Sequence, residues 1–216
     1  MDNVAARQLM VDQQIRTWEV LDPRVLDVLC AVPRESFVPA AYRELAFADA
    51  PIPIGFGQTM LMPKLQGRIL QALGIGPDDA ALEVGTGTGY LSACMGLLAR
   101  ETTTFEIFAE LAAAASANIG GIADAHVRVE NRDAFSGAPL GEYDAIAVTG
   151  SLPVYDPRFE SALRIGGRLF VVVGSPPAMD ALLVRRVDSK GWVQESLFET
   201  VIAPLVNAQA AQRFVF

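Results

Sequence analysis

The spacing of apolar residues changes along the chain at about residue 80. In the front part, apolar residues such as Val25, Leu26 and Leu29 recur at helical spacing, and prolines separate the runs. Pro23 suits the first turn of one such helix, where its missing N–H needs no partner. We therefore expect residues 1–50 to form several short helices.

Prolines and glycines interrupt this helical pattern in two places. Residues 32–39 contain a proline near each end and are predicted to form an extended connector. Residues 51–62 contain two prolines and two glycines, which disfavour a regular helix, so this stretch is predicted to be a surface loop. Apolar loops of this kind often cover a ligand. A helix is expected to follow from Pro63 to Leu73 and to end at Gly74.

Beyond residue 80, short β-rich runs alternate with helical runs. Helices are predicted over residues 90–100 and 109–118. Continuous apolar strands between helices are typical of a parallel sheet that is covered on both faces. The predicted parallel strands lie at residues 81–84, 102–105, 126–129, 144–148 and 168–173.

The end of the chain follows a different pattern. The runs at residues 182–184 and 197–201 have strand character without a good helix between them, and residues 188–191 supply a turn. A hairpin-like end is therefore expected. The fold prediction is α/β: a Rossmann-like, doubly wound, mostly parallel seven-stranded sheet with a short helical N-terminal extension and an antiparallel C-terminal end.

Length and composition fit this prediction. A chain of 216 residues with 51% hydrophobic and 19% charged residues can bury a substantial core and is not disordered. One domain over residues 1–216 is expected. Within it, residues 1–75 hold the helices and the apolar loop, and residues 76–216 form the Rossmann-like core.

The net charge and the numbers of cysteines and histidines exclude several classes of partner and site. Seventeen basic against 25 acidic residues give a net charge of -8, which argues against nucleic acid, because phosphate binding needs clustered Lys and Arg. Only Cys30 and Cys94 are present, which excludes a disulfide framework and suits a reducing compartment. With His126 as the sole histidine, no metal site or Ser-His triad is expected.

The first residues and the lengths of the apolar runs indicate the cellular compartment of the protein. Residues 1–4 are polar and acidic, unlike the start of a signal peptide. The longest apolar runs fall short of the ~20 residues that span a bilayer. We therefore expect a cytoplasmic protein with no membrane partner, as a monomer or weak dimer.

The strongest chemical signal is the glycine-rich segment 82–90, Leu-Glu-Val-Gly-Thr-Gly-Thr-Gly-Tyr. It follows a predicted strand and opens a predicted helix, which is the context that a nucleotide-binding loop needs. Gly85, Gly87 and Gly89 let the backbone approach a ligand closely, because no Cβ intervenes. Their G-x-G-x-G spacing differs from the dinucleotide pattern G-x-G-x-x-G, and Glu83 just before them would repel a phosphate. The loop therefore favours a nucleoside ligand without phosphate, S-adenosyl-L-methionine (SAM).

Two acidic residues follow the next two predicted strands. Glu106 lies about 20 residues beyond the glycine loop, where nucleoside-binding sheets place a carboxylate that accepts both ribose hydroxyls. Asp133 follows the third strand, where it can receive the adenine amino group. Each residue also has a plainer interpretation that stays open at this point. Glu106 could complement a helix dipole, and Asp133 could be an N-cap.

Several segments together resemble the protein-L-isoaspartate O-methyltransferase family. The glycine loop is common to many methyltransferases, whereas the front segments and the apolar loop are more specific. The similar stretches are residues 10–15, 32–39, 53–59, 82–90, 143–149 and 166–169. The resemblance covers nearly the whole chain. It implies a SAM-dependent carboxyl O-methyltransferase that methylates isoaspartyl residues of damaged proteins or peptides for their repair.

One departure from the family pattern falls in the apolar loop. The family's loop usually continues Gln-Thr-Ile-Ser, and that serine is its functional hydroxyl beside the substrate carboxylate. Leu61 stands at the position of this serine and cannot donate a hydrogen bond, while Thr59 keeps a hydroxyl two residues earlier. The chain therefore resembles a divergent member, with Thr59 and Leu61 in the acceptor part of its site.

The acceptor stays open at the level of sequence. A carboxylate is already ionised at neutral pH, so its methylation needs no general base. The apolar run 60–62 could select a different acceptor, or the chain could be a SAM-binding module without isoaspartyl activity. Residues 149–153 lack the Asn/Asp-Pro-Pro-Tyr loop of many nitrogen methyltransferases, which argues against a nitrogen acceptor. The glycine spacing disfavours a nicotinamide-dependent oxidoreductase.

Overall fold

The computed structural model describes residues 2–210, and the front of this range is helical as predicted. Pro23 begins the second helix, where the Asp22 carboxylate accepts a hydrogen bond from the Arg24 backbone N–H at 2.9 Å. The helices of this part are α1 (Asn3–Met10), α2 (Pro23–Ala31), α3 (Arg34–Phe37) and α4 (Pro63–Leu73), with a π-helical turn at Val11–Ile15 and 3-10 turns at Arg16–Trp18 and Ala40–Leu45. None of the helices within residues 2–210 has both the length and the apolar character needed to cross a bilayer.

The prediction of an extended connector over residues 32–39 is wrong, because α3 forms inside it. The Pro33 carbonyl accepts a hydrogen bond from the Ser36 N–H at 2.8 Å, which closes one helical turn. This turn places Arg34 and Phe37 on one face, and both side chains are buried. Burial of that face outweighs the extended preference near the two prolines.

Residues 51–62, which were predicted to be a surface loop, have regular structure. They contain an antiparallel hairpin of β1 (Ile52–Gly55) and β2 (Gln58–Met60). Ile52 pairs with Met60, and both side chains are buried, so the hairpin has one inward face. The turn at Gly55, Phe56 and Gly57 has positive φ at all three residues, which the flanking glycines make accessible.

The core is a seven-stranded sheet with the order β5-β4-β3-β6-β7-β8-β9. Its strands are β3 (Ala80–Val84), β4 (Glu101–Glu106), β5 (Val127–Asn131), β6 (Tyr143–Leu152), β7 (Leu163–Ser175), β8 (Ala178–Arg186) and β9 (Trp192–Thr200). The five strands β3 to β7 pair in parallel, and β8 and β9 are antiparallel. The predicted fold class and antiparallel end are therefore confirmed.

Helices and the front segment cover the two faces of this sheet. The remaining helices are α5 (Tyr90–Leu98), α6 (Ala109–Ile119) and α7 (Pro157–Ser161). Along β6, Ala145 and Ala147 join a core cluster that includes α2, α4 and α5, whereas Ile146 and Val148 join a second cluster with Phe159 of α7. This alternation follows from the two-residue period of a strand.

The chain leaves β3 in one direction towards β4 and β5 and returns to the other side of β3 as β6. The strand order therefore reverses between β3 and β6. In doubly wound sheets, ligands bind in the crevice beyond the carboxyl ends of the strands at such a reversal. The fold places the loops after β3, β4, β5 and β6 at this edge.

Candidate functional site

A cavity opens at the carboxyl edge of the sheet and extends to the β1–β2 hairpin. The loops that follow β3, β4 and β5 contribute to its wall, together with Thr149 and Gly150 of β6. The predicted site residues that line it are Thr59, Leu61, Glu83, Gly85, Gly87, Glu106 and Asp133. The fold thus brings the residues of the glycine loop, the two acids and the apolar hairpin around one space.

The glycine loop is held by the neighbouring strand β6. The Thr149 hydroxyl lies 2.7 Å from the carbonyl oxygen of Gly85 and 2.9 Å from that of Val84, and it donates to this pair. Gly85 has a φ of 102°, and a Cβ built there would lie 2.6 Å from the Thr149 Oγ1. Only glycine therefore fits this position without displacing the hydroxyl.

Glu106 ends β4 and is 5% exposed. One carboxylate oxygen accepts a hydrogen bond from the Gly87 N–H at 2.8 Å, and the other accepts from the Phe108 N–H at 3.1 Å. A carboxylate has about four acceptor sites, so two remain for hydroxyl donors of a ligand. This arrangement fits a ribose. The alternative of complementing a helix dipole also fits, because Phe108 is the residue before α6.

Asp133 lies two residues beyond β5, in a turn rather than at the start of a helix. Its carboxylate accepts from the Phe135 N–H at 2.7 Å and from the Asn207 side-chain amide at 2.9 Å. The contact with Phe135 is the local bond of an Asx turn, so the alternative of a helix N-cap is replaced by a turn. The residue lines the cavity with acceptor capacity left over.

Glu83 is almost fully buried beneath the loop, at 1% exposure. Its carboxyl group contacts the Ser92 hydroxyl and accepts a hydrogen bond from the Thr104 hydroxyl at 3.0 Å. Burial raises the pKa of Glu83 to about 8, although both hydroxyl contacts oppose this shift. The raised pKa favours the neutral form of Glu83, which weakens the sequence argument that a charge here would repel phosphate.

Gly89 does not line the cavity. It is the residue before α5 and has a φ of 85°. A Cβ there would lie 2.9 Å from the Ile119 side chain and 3.1 Å from Ala115, so the missing Cβ lets α5 approach α6. A direct role for Gly89 in cofactor binding stays a prediction, and helix packing explains its presence.

The two predicted acceptor residues differ in their surroundings. Thr59 belongs to strand β2, is exposed, and lines the cavity. Leu61 follows the strand, is half-buried, and packs against the main core cluster. Both residues therefore border the same cavity.

Sequence reasoning missed the residue that supports this hairpin from below. Arg34 of α3 is fully buried and donates a hydrogen bond to the Leu61 backbone carbonyl at 2.8 Å. It also donates to the Ala46 carbonyl at 2.8 Å and to the side-chain oxygen of Gln66. No pattern in the sequence signals this contact, because it joins residues of α3 and α4 that lie 32 positions apart in the chain. Thr149 could have been suspected from its place after the fourth predicted strand.

Comparisons with known proteins agree with this geometry. The family model described as protein-L-isoaspartate(D-aspartate) O-methyltransferase (PCMT) matches residues 5–210. A protein-L-isoaspartate O-methyltransferase from Koribacter versatilis is 38% identical over 204 residues, which cover 94% of this chain and 91% of that protein. One from Rhodopseudomonas palustris is 37% identical over 206 residues, which cover 94% of each.

Solved structures show the same fold. A Plasmodium falciparum crystal structure described as a protein-L-isoaspartate O-methyltransferase in complex with S-adenosyl-L-homocysteine matches with a TM-score of 0.79 and 19% identity. The match covers 92% of this chain and 97% of that chain. A second protein-L-isoaspartate O-methyltransferase structure has a TM-score of 0.77 and 20% identity, and it covers 94% of this chain and 67% of that chain.

Proposed function

Because this chain belongs to the protein-L-isoaspartate(D-aspartate) O-methyltransferase family, we propose that it methylates the free α-carboxylate of isoaspartyl residues in proteins and peptides, with SAM as donor. The product ester is the entry to repair of such damaged residues. The comparisons do not favour the alternatives of a different acceptor or of a SAM-binding module without activity.

One observation carries this proposal: the nucleoside end and the acceptor end belong to the same cavity. Glu106, the glycine loop and Leu61 all line it. A donor held against the loop would therefore share one space with an acceptor held at the hairpin. That placement is what an in-line transfer between two bound molecules requires.

We assign the cofactor end of the cavity as follows. The free acceptor sites of the Glu106 carboxylate take the ribose hydroxyls, and Asp133 takes the adenine amino group. Gly85 and Gly87 allow close approach of the ligand to the backbone. Glu83 supports the loop from beneath, and Gly89 sets the start of α5. When bound, SAM supplies an electrophilic methyl group on a sulfonium sulfur, which departs as a neutral thioether.

The acceptor end needs orientation rather than proton transfer. The acceptor carboxylate is ionised at neutral pH, so no general base of the chain takes part. We propose that the Thr59 hydroxyl and the apolar Leu61 side chain position this carboxylate. Alignment of the reacting groups can contribute up to about 7–11 kcal/mol towards lowering the barrier.

The decisive experiment is a methylation assay with an isoaspartyl peptide and radiolabelled SAM. The expected result is a methyl ester that base releases as methanol. The matched control is the same peptide with a normal aspartyl residue, which should take up little label. Absence of base-labile label with the isoaspartyl peptide, under conditions where SAM binds, would contradict the proposal.

The proposal also covers the domain organisation, the cellular compartment and the oligomeric state of the protein. We propose one domain over residues 1–216, with residues 1–75 as the acceptor-binding part and residues 76–216 as the Rossmann-like core. The two free thiols suit a reducing compartment, so we propose that the protein acts in the cytoplasm. We further propose a monomer or weak dimer that uses neither nucleic acid nor membrane as a partner.

A further inference from the structure

Arg34 is a buried cation without a carboxylate partner among the described residues. Its side chain donates to the carbonyls of Ala46 and Leu61 and to Gln66, and its guanidinium lies 4.9 Å from the centroid of the Tyr90 ring. Neutral acceptors thus satisfy its hydrogen bonds but leave its charge uncompensated. A net positive charge lies just beneath the hairpin that borders the cavity.

The contact with Arg34 determines how the Gln66 side chain is oriented. A guanidinium has donors only, so the carboxamide oxygen of Gln66 must face it. The amide NH2 group therefore points away from Arg34. Gln66 is 3% exposed and lines the same cavity as Thr59 and Leu61.

This NH2 group has no acceptor within residues 2–210. Because Gln66 lines the cavity, its NH2 group is available there to the acceptor atoms of a ligand. At the acceptor end of a methyltransferase cavity, the ligand with free acceptor atoms is the carboxylate to be methylated.

We propose that Gln66 positions the acceptor: its amide N–H donates to the isoaspartyl carboxylate and supplies the hydrogen bond that Leu61 cannot provide. The inference rests on the proposed function and deepens it. Arg34 strengthens this donor, because a cation bound to the carboxamide oxygen polarises the N–H bonds. Gln66 and Leu61 together thus form a polar and an apolar contact to one acceptor group.

The charge change of the reaction predicts which kinetic constant Gln66 affects. The acceptor carboxylate is fully charged in the ground state and loses charge as the carbon–oxygen bond forms. A donor to this carboxylate therefore stabilises the bound substrate at least as much as the transition state. Removing it should raise KM for the peptide with little change in kcat.

The test compares Gln66→Glu with the wild type in the isoaspartyl peptide assay. Glutamate keeps an acceptor for Arg34, so the fold is retained, but it replaces the NH2 donor by a carboxylate oxygen. We expect KM for the peptide to rise at least about ten-fold, since a charged-group hydrogen bond is lost. The Kd for SAM should stay within about two-fold, and Gln194→Met, an exposed change on β9, should leave every constant unchanged.

A rescue experiment separates positioning from a structural role. Gln66→Met removes the donor without adding a charge, and adding Leu61→Ser to it restores a hydroxyl at the cavity. In the double variant, KM for the peptide should return most of the way from the raised value of Gln66→Met to the wild-type value. An unchanged KM in Gln66→Glu, or a KM rise that Leu61→Ser does not reduce, would overturn the proposal.

The same assay distinguishes this failure from failure of the proposed function. A wild-type enzyme that forms no isoaspartyl ester refutes the function itself. An active wild type with variants of equal KM refutes only the role of Gln66.

Discussion

The ring of Phe56 stacks on the ring of Phe108, with 4.6 Å between the centroids and 20° between the planes. Phe56 is the middle residue of the β1–β2 turn, and Phe108 lines the cavity just beyond Glu106. The contact therefore joins the β1–β2 hairpin to the loop that follows Glu106.

Replacing Phe56 with Ala should loosen the hairpin, because a stacked aromatic pair contributes about 0.5–1.5 kcal/mol beyond its burial. Amide hydrogen exchange in residues 52–60 is expected to become faster by up to about ten-fold. Val193→Ala, an exposed apolar residue on β9, is the control and should leave exchange in the hairpin unchanged. Equal protection in Phe56→Ala and the wild type would show that the stack does not hold the hairpin.

Replacing Glu106 with Ala should weaken SAM binding by about 1.5–3 kcal/mol, roughly 10- to 150-fold in Kd, since hydrogen bonds to a charged group are lost. Isothermal titration calorimetry measures this change directly. Glu110→Ala removes a nearby exposed carboxylate and controls for net charge. An unchanged Kd in Glu106→Ala would refute the ribose assignment.

Replacing Gly85 with Ala should abolish measurable SAM binding and lower the free energy of unfolding. The new Cβ meets the Thr149 hydroxyl and the backbone has a positive φ, so both clash and strain arise. Gly137→Ala is the matched control, since Gly137 has a φ of 84° but no atom near its Cβ position. In urea unfolding, the Gly137→Ala variant should lose only about 1–2 kcal/mol of unfolding free energy, because backbone strain is its only cost. If both variants bind SAM equally, the close approach at Gly85 is not needed.

Glu83 should make the stability of the protein depend on pH. Its pKa is raised by burial to about 8 in the folded state, so between pH 4.5 and 8 the folded chain binds a proton that the unfolded chain has lost. The free energy of unfolding therefore falls as pH rises through this window, by at most about 1.4 kcal/mol per pH unit from this group.

Glu83→Gln imitates the protonated form and should remove this contribution. From pH 5 to pH 8, the wild type should lose stability that Glu83→Gln keeps, so the unfolding free energy of the variant should rise relative to that of the wild type. Urea unfolding at several pH values measures the difference, and other groups cancel in the comparison. A constant difference over this range would mean that Glu83 keeps its ordinary pKa.

Replacing Leu61 with Ser should raise kcat/KM for the isoaspartyl peptide by about 2- to 10-fold, because one further hydrogen bond reaches the acceptor. Leu61→Ala is the control, since it opens the same space without a hydroxyl. A gain with Leu61→Ala as large as with Leu61→Ser would attribute the effect to space instead. The Kd for SAM should not change in either variant.

The sequence predicts most of the fold because parallel strands are continuous apolar runs. The five strands β3 to β7 and the helix Pro63–Leu73 appear at the expected places. The helix α3 and the β1–β2 hairpin were not predicted, since both depend on burial of one face against distant parts of the chain. Local preference near prolines gives no information on that burial.

Some features of the candidate site could likewise be predicted from the sequence, and others could not. Glu106 and Asp133 could be found from sequence, because the order of strands brings successive carboxyl ends to one edge. The contact between Arg34 and Gln66 could not, since it joins two helices whose relative position no local pattern encodes. The raised pKa of Glu83 also needs the structure, because it follows from burial beneath the loop.

The hydrogen bond from the Thr149 hydroxyl to the carbonyl of Gly85 fixes the glycine loop to β6 through a contact within the chain. A loop held in this way loses little conformational entropy when a ligand binds, so more of the contact energy appears as affinity. Turnover would then be governed by how quickly the hairpin side admits and releases peptides of varied sequence. The glycine-loop side of the cavity would then stay rigid for a cofactor that is always the same, whereas the hairpin side would accommodate peptides of different sequence.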